Sequence, residues 1–371
     1  MKVKLLAFSA ATLVVSNAYA QSSVTLYGVA DAGIEYLNHA VASTGTVARG
    51  AEGNNLWAVQ SGNLSGSRWG LRGVEDLGGG LKSIFLLESG FAIDAGTSSQ
   101  GSRLFGRGAY VGLQSEAGQL TLGRHTTPFF DFGGKYDPLW IISRYSSASQ
   151  DPFMGSARAD NSIKYKGNFG GLSLTGLYSF NTNNQEVPGN FTNGREYSVS
   201  ASYEVGQLSV GVIYDQTNRS SATALTTNNL VRRSALAATY DFGQVTLSAG
   251  YRYAHAFNGA VLPGVTLKDT VSNFAWAGIG YQATPALLLT SAAYYQNLRS
   301  ANAGNPWQFV TQASYALSKR TDLYATVSYV LNKGKSNLGV NGFNDQLGTS
   351  NEAVQPGANQ FGAVMGVRHK F

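Results

Sequence analysis

Apolar and polar residues alternate with a period of two along most of the chain, and few segments show the spacing of an amphipathic helix. The alternation is clear in residues 24–31, 196–203, 207–215 and 245–252. In the third of these segments the apolar positions are Leu208, Val210, Val212 and Tyr214. Because successive side chains of a β-strand point to opposite faces of a sheet, the pattern predicts strands with one apolar and one polar face.

Short and long connections alternate between the predicted strands. The short ones lie at residues 77–80, 116–119, 168–171, 204–207, 241–244, 282–285 and 318–321. Five of them contain glycine, which supplies the positive φ that a tight hairpin needs. The long ones lie at residues 37–65, 94–102, 127–160, 182–193, 216–230, 258–269, 298–306 and 333–357. Seven turns and eight loops separate sixteen strands, which predicts an all-β fold.

A sheet with one apolar face fits either a half-exposed soluble sandwich or a transmembrane barrel. Strict alternation of short and long connections is typical of antiparallel barrels with short periplasmic turns and long extracellular loops. Four tyrosines precede short turns, and they predict a band of aromatic side chains around the barrel at one membrane interface. They are Tyr203, Tyr240, Tyr281 and Tyr315. The last segment is expected to pair with the first, because closure removes the sheet edges that lipid does not tolerate.

The N-terminus has the features of a secretory signal. Two lysines in the first four residues precede an apolar run at 5–15 and an Ala-Tyr-Ala site at 18–20. The alternative, a transmembrane anchor, requires about 20 apolar residues, and this run is shorter. We therefore expect a signal peptide at 1–20 and a single barrel domain at 21–371.

Composition excludes most catalytic classes. Charged residues make up 13% of the chain and cysteine is absent, which excludes thiol enzymes, iron–sulfur proteins and disulfide scaffolds. The four histidines (His39, His125, His255 and His369) have no metal-ligand spacing and no local nucleophile motif, so we expect neither a metal, a cofactor nor a hydrolase site. Lysine and arginine are scattered despite a net charge of +6, so nucleic-acid binding is not expected.

Several motifs resemble those of a known family. They are SSVTLYGVADAG at 22–33, the segment SRWGLRGVEDLGGGLKSIFLLESGF at 67–91, RGAYVGLQSEAGQLTLGR at 107–124, YALSKRTDLYATVSYV at 315–330 and GVRHKF at 366–371. In this order they resemble the general porins of Gram-negative bacteria, most closely the β-proteobacterial branch. The resemblance covers most of residues 22–371.

The resemblance implies an outer-membrane homotrimer of sixteen-stranded barrels, surrounded by lipid and lipopolysaccharide. It implies that the third long loop folds into each lumen as a constriction. It also implies that the terminal Phe371, together with His369 and Val367 on the same strand face, is recognised by the outer-membrane barrel assembly machinery.

The third long loop, residues 127–160, has the acidic residues expected on one side of a constriction. The loop carries Asp131, Asp137, Asp151 and Asp160, of which the first three are the constriction candidates. A connection of this length without regular structure is uncommon unless it is functional or disordered. Its aromatic residues indicate packing on a wall, whereas the alternative is a loop that faces solvent outside the barrel.

Opposing cations are expected on the strands. Arg68 and Arg72 lie on one face of their segment and Trp69 lies on the other, so both arginines point into the lumen if the indole faces lipid. The same alternation places Lys82, Glu88, Lys164 and Lys166 inside. For each arginine the alternative is a solvated charge at the rim of the barrel.

Three further arginines are candidates by family likeness: Arg103, Arg107 and Arg124. Alternation places Arg124 on the same face as Leu122, which conflicts with a luminal position. A β-bulge at Gly123, or a contact between subunits, would resolve the conflict.

These residues predict an outer-membrane diffusion channel for ions and small hydrophilic solutes. Charges at the narrowest point set the selectivity of such a channel. The predicted wall cations outnumber the loop carboxylates, which favours anions. Two alternatives stay open: a substrate-specific channel for a sugar or small organic anion, and a structural barrel without an open lumen.

Overall fold

The structure is a computed structural model that describes residues 23–40, 53–140, 143–147, 151, 157–218, 229–260, 268–299, 304–334, 336–341, 354 and 357–371. The predicted signal peptide lies outside these residues. The strands are β1 (Ser23–Ala40), β2 (Asn54–Ser61), β3 (Arg68–Gly78), β4 (Leu81–Ala92), β5 (Thr97–Ser98), β6 (Gly108–Ser115), β7 (Gly118–Thr126), β8 (Arg158–Phe169), β9 (Leu172–Ser179), β10 (Glu196–Val205), β11 (Leu208–Asn218), β12 (Leu230–Asp241), β13 (Val245–Phe257), β14 (Val271–Gln282), β15 (Leu287–Leu298), β16 (Trp307–Ala316), β17 (Thr321–Leu331) and β18 (Gln360–Lys370). The helices are α1 (Ser99–Ser102) and α2 (Pro128–Tyr136). No helix among the described residues is long and apolar enough to cross a membrane.

The strands form a closed antiparallel barrel. β18 pairs with β1 from Val29↔Lys370 to Leu37↔Gly362 and closes the sheet. β2 and β3 follow one another along the other side of β1, so together they make one strand of the barrel, and β5 pairs only with the end of β4. The described ladder therefore has sixteen barrel strands, which confirms the prediction.

The seven short turns lie where the sequence predicted them, but the first long loop is shorter than expected. The predicted range 37–65 includes the end of β1 and all of β2. β2 was missed because it presents only Trp57 and Val59 on its apolar face, between polar flanks. After β2, residues 62–67 leave the ladder, and the backbone N–H groups of Leu64 and Ser65 donate to the carboxylate of Asp31 (2.8 and 2.7 Å).

The outer face of the barrel is apolar and has an aromatic band at each end. Near the short turns, the four tyrosines predicted from the sequence are exposed: Tyr203, Tyr240, Tyr281 and Tyr315. At the loop ends of the strands, a second outward set includes Tyr36, Trp57, Tyr253, Phe309 and Tyr329. An apolar belt between two aromatic girdles is the surface expected of a transmembrane barrel.

The connection between β7 and β8 folds into the barrel. The Thr127 hydroxyl accepts a hydrogen bond from the Phe130 N–H (3.1 Å) and caps α2, whose first residue is Pro128. The apolar side of α2 is buried against inward residues of β11–β15. The ring of Tyr136 lies against Gly211, where a Cβ atom would come within 2.5 Å of it, so only glycine permits this approach. The Trp276 indole donates to the Tyr136 carbonyl (2.9 Å).

Candidate pore constriction

Buried polar contacts fix the inserted loop against one part of the inner wall. Glu35 on β1 accepts hydrogen bonds from Arg144 Nε (2.7 Å), the Tyr145 hydroxyl (2.7 Å) and Asn341 Nδ2 (2.9 Å). The C-terminal end of α2 is fixed by a second wall contact, in which the Trp276 indole donates to the Tyr136 carbonyl. Because each group is out of water, the contacts determine a single position for the loop.

Two of the three carboxylates predicted for the constriction help to anchor the loop to the wall. Asp137 accepts from the Tyr294 hydroxyl (2.8 Å) and from backbone N–H groups of the loop, and burial raises its pKa. Asp151 pairs with Arg252 (2.7 Å), and both side chains are fully buried. Both carboxylates lie between loop and wall rather than facing the open lumen, which differs from the sequence-based expectation for Asp137 and Asp151. The aromatic packing of the loop turns them toward the barrel wall.

The open side of the lumen is lined by arginines around Glu88 on β4. Its carboxylate pairs with Arg107 Nε (2.7 Å), lies 3.6 Å from Arg68 Nε, and accepts from the Tyr27 hydroxyl (2.8 Å). The Arg72 guanidinium lies over the ring of Tyr27, 5.4 Å from its centroid. The β1–β3 register places Tyr27, Arg68 and Arg72 on one face, as the alternation of the sequence predicted.

The exposed side of α2 presents Asp131 to two lysines of β8. Asp131 pairs with Lys164 Nζ (2.6 Å) and Lys166 Nζ (2.9 Å) on β8. Burial acts to raise the pKa of Asp131, but the two ammonium groups outweigh this and hold the pKa below its usual value. Arg158 Nε donates to the Arg107 carbonyl (3.0 Å), and its guanidinium lies over the Phe130 ring, which connects α2 with the Glu88 cluster.

We call this continuous set the cationic band. It comprises Arg68, Arg72, Glu88, Arg107, Asp131, Arg158, Lys164 and Lys166. Six cationic side chains meet two carboxylates, so the band has a formal excess of four positive charges. Within a low-dielectric wall, such an excess is screened less than on an open surface.

Three cations that were predicted for the constriction lie outside the cationic band. Lys82 is inward, but it is opposite Asp76 beside a short turn and six residues along β4 from Glu88, a distance of about 20 Å. Arg103 and Arg124 both pair with Asp160 (2.6 and 2.5 Å), and neither contacts Glu88 or Asp131 in the described residues.

The position of Arg124 has a clear backbone cause. The pairs Gly123↔Ser162 and His125↔Ala159 leave two β8 residues opposite Arg124, which is the expected bulge, and Gly123 has a φ of +141°. Arg124 nevertheless stays opposite Ala109, on the face that β6 presents outward through Val111 and Leu113. The bulge brings Asp160 to the arginine and does not turn the arginine inward, so the structure does not support a constriction role for Arg103 or Arg124.

Alternation predicted the inward positions of Glu88 and Lys166, and the structure places both in the band. The sequence analysis did not predict a band position for Arg158, because it is the first residue of β8 and follows a loop, where alternation gives no direction.

A closed barrel with an apolar outer belt, two aromatic bands and a lumen narrowed by an inserted, charged loop defines a membrane channel of the porin class. The chain belongs to the Gram-negative porin family, whose sequence model matches residues 7–335. An outer membrane porin of Bordetella pertussis is 32% identical over 90% of this chain and 95% of its own length. Outer membrane porin protein 32 of Delftia acidovorans is 31% identical over the whole of both chains.

The solved structures agree with this assignment. The anion-selective porin from Comamonas acidovorans matches with a TM-score of 0.78 and 27% identity, over 95% of this chain and 100% of that one. The protein is thus an outer-membrane channel for small solutes and not an enzyme. The expectation of a porin from the β-proteobacterial branch is confirmed.

Proposed function

We propose that the cationic band is the selectivity region of the pore and that the channel prefers small anions. The observation that supports this most directly is the excess of four positive charges beside the open lumen. A ring of like charge at a constriction attracts counter-ions and repels ions of its own sign. The anion selectivity named for the Comamonas porin is consistent with the same sign.

The loop at 127–160 acts in this proposal as the opposite wall of the constriction. Only Asp131 of its predicted carboxylates faces the band, and it is already paired with two lysines. The loop therefore narrows the lumen without reversing the sign of its charge. Small hydrophilic solutes pass between α2 and the arginine wall, with no covalent chemistry.

We also propose a homotrimer with its contact on the outward face of β18, β1 and β3. Among the described residues, this face has no tyrosine in the band near the short turns, and β1 presents the small residues Ala30 and Ala32 there. Small residues let protein surfaces approach closely. The remaining outer belt then faces lipid and lipopolysaccharide.

The outward face of β18 has the exposed residues that the proposed signal for the barrel assembly machinery requires. His369, Val367 and Phe371 are all exposed on the outward face. The backbone of Phe371 pairs with Gly28 (2.9 and 3.1 Å), so this strand also closes the barrel. We propose that the assembly machinery recognises this face before closure.

Reversal potentials in a planar bilayer under a tenfold salt gradient test the selectivity proposal. The wild-type channel is expected to favour anions and to close in three steps at high voltage. Arg68→Glu with Arg72→Glu reverses two charges in the band and is expected to move the reversal potential strongly toward cations. Lys82→Glu, an inward charge reversal about 20 Å away, is the matched control and is expected to move it much less. Equal shifts, or an unchanged preference in the double variant, would contradict the proposal.

A further inference from the structure

A polar cavity, separate from the cationic band, lies on the side of the inserted loop that faces the short turns. It has a volume of ≈ 260 Å³ and lies between Pro138–Trp140 of the loop and the inner wall. Gln282 and Pro285 beside one short turn close one side of it, and Arg368 and Lys370 of β18 close another. The cationic band does not contribute to its lining, so it is a separate site in the same lumen.

Trp140 lines this cavity and has an energetically unfavourable backbone conformation. Its side chain is 51% exposed, whereas Phe129, Phe132, Tyr136 and Tyr145 of the same loop are buried. Its φ is +58°, a left-handed conformation that costs a non-glycine residue roughly 1–2 kcal/mol. Backbone strain of this kind persists mainly at functional sites, where the surroundings maintain it. A large aromatic surface left open to the lumen is therefore an argument for a ligand that covers it.

The wall opposite Trp140 provides positive charge. Arg368 (2.6 Å) and Lys370 (3.3 Å) share one carboxylate, that of Asp322, so the group has a net charge of +1. The Lys370 side chain is 43% exposed. An ammonium group has three donors, and this accessibility leaves Lys370 able to donate to an anion in the cavity.

We propose that this cavity binds a small aromatic carboxylate, with its ring against the Trp140 indole and its carboxylate on Lys370. Ring stacking and a charge-assisted hydrogen bond supply the two contacts, and the volume suits one ring with a short acidic group. The inference deepens the proposed anion channel and rests on it, because the ligand must cross a lumen that favours anions. The site makes the channel selective among anions, beyond its preference for negative charge.

Benzoate is the probe, added to either side of a bilayer that contains the full-length channel. Wild-type current is expected to fall saturably with benzoate, more strongly from the side of the short turns. Trp140→Ala and Lys370→Gln are each expected to weaken the block several-fold to about tenfold, while Trp140→Phe keeps most of it. Trp57→Ala, which removes an exposed outward indole, is the matched control and is expected to leave the block unchanged.

Two compounds test the two contacts separately. Acetate has the carboxylate without the ring, and benzyl alcohol has the ring without the charge, so both are expected to block weakly. An absence of saturable block in an anion-preferring wild type, an equal block by benzyl alcohol, or an equal effect of Trp140→Ala and Trp57→Ala would overturn the inference. A cation-preferring wild type would instead overturn the proposed function, so the two failures are distinguishable.

Discussion

Arginines pair with carboxylates on two parts of the inner wall, and the surroundings of these pairs differ. The first part is formed by β11–β15 and the second by β3–β8. In the first part, Arg252 pairs with Asp151 under the inserted loop, and both side chains are fully buried. In the second part, Arg107 pairs with Glu88 beside the open lumen, and both side chains keep some exposure. The Arg252–Asp151 pair of the first part is one cation to one carboxylate, whereas the second part has more cations than carboxylates.

Under the proposed function, burial rather than residue type separates structural from functional charge in this lumen. A buried ion pair has lost its hydration, so removal of one partner leaves an uncompensated charge and destabilises the fold. A partly hydrated pair costs less to change, and the unpaired cations around it act on passing ions. The covered part of the wall therefore positions the loop, and in the proposed function the open part supplies the electric field that acts on passing ions.

The largest expected effect is on stability, from Asp151→Ala on the covered part. Arg252 then loses its carboxylate in a fully buried site, so the free energy of unfolding is expected to fall by about 3–5 kcal/mol. Urea unfolding in lipid vesicles measures this. Asp131→Ala on the open part is the control and is expected to cost less, because the Asp131 and Lys166 side chains are 29% and 46% exposed and Lys164 keeps its hydrogen bond to the Thr126 carbonyl (2.6 Å).

A double variant sharpens this test. Asp151→Leu with Arg252→Met replaces the pair by apolar side chains of similar size, and most of the lost stability is expected to return. Equal losses for Asp151→Ala and Asp131→Ala would show that burial does not separate the two parts of the wall.

An intermediate effect is expected where the loop packs against glycine. Gly211→Val adds a side chain where a Cβ atom already lies within 2.5 Å of the Tyr136 ring, so α2 must move toward the lumen. Overpacking of this kind costs about 1–3 kcal/mol, and single-channel conductance is expected to fall. Gly176→Val, at a glycine whose added Cβ has no atom within 4 Å, should change neither quantity. Normal conductance in Gly211→Val would place the loop contact away from the pore.

The barrel was predictable from the sequence because alternation and turn spacing are local properties. The inward positions of Arg68, Arg72 and Lys164 followed from the same alternation. Alternation assigns a face of the sheet and gives neither the height along the pore nor what covers the residue. Lys82 illustrates the first limit, because it is inward but beside a turn.

The loop was less predictable for a related reason. Asp137 and Asp151 resemble Asp131 in sequence, and only the packing of α2 and the loop against distant strands separates them. Likewise, the bulge near Gly123 was expected, but the partner that it brings to Arg124 is 36 residues away. Contacts at that separation depend on the folded loop, which no periodicity in the sequence encodes.

The smallest expected effect comes from Asp131→Asn, which removes one negative charge from the band. Lys164 and Lys166 are then unpaired, so the reversal potential at pH 7 is expected to move modestly toward anions. The folded pKa of Asp131 is lowered, so its charge and its stabilising contribution are complete at neutral pH and are lost only as the pH falls through that lowered value. The difference between wild type and Asp131→Asn should therefore persist as the pH is lowered from neutral to about pH 5 and vanish at more acidic pH. A difference that already disappears near pH 6 would show that the lysines do not hold the carboxylate in its ionised form.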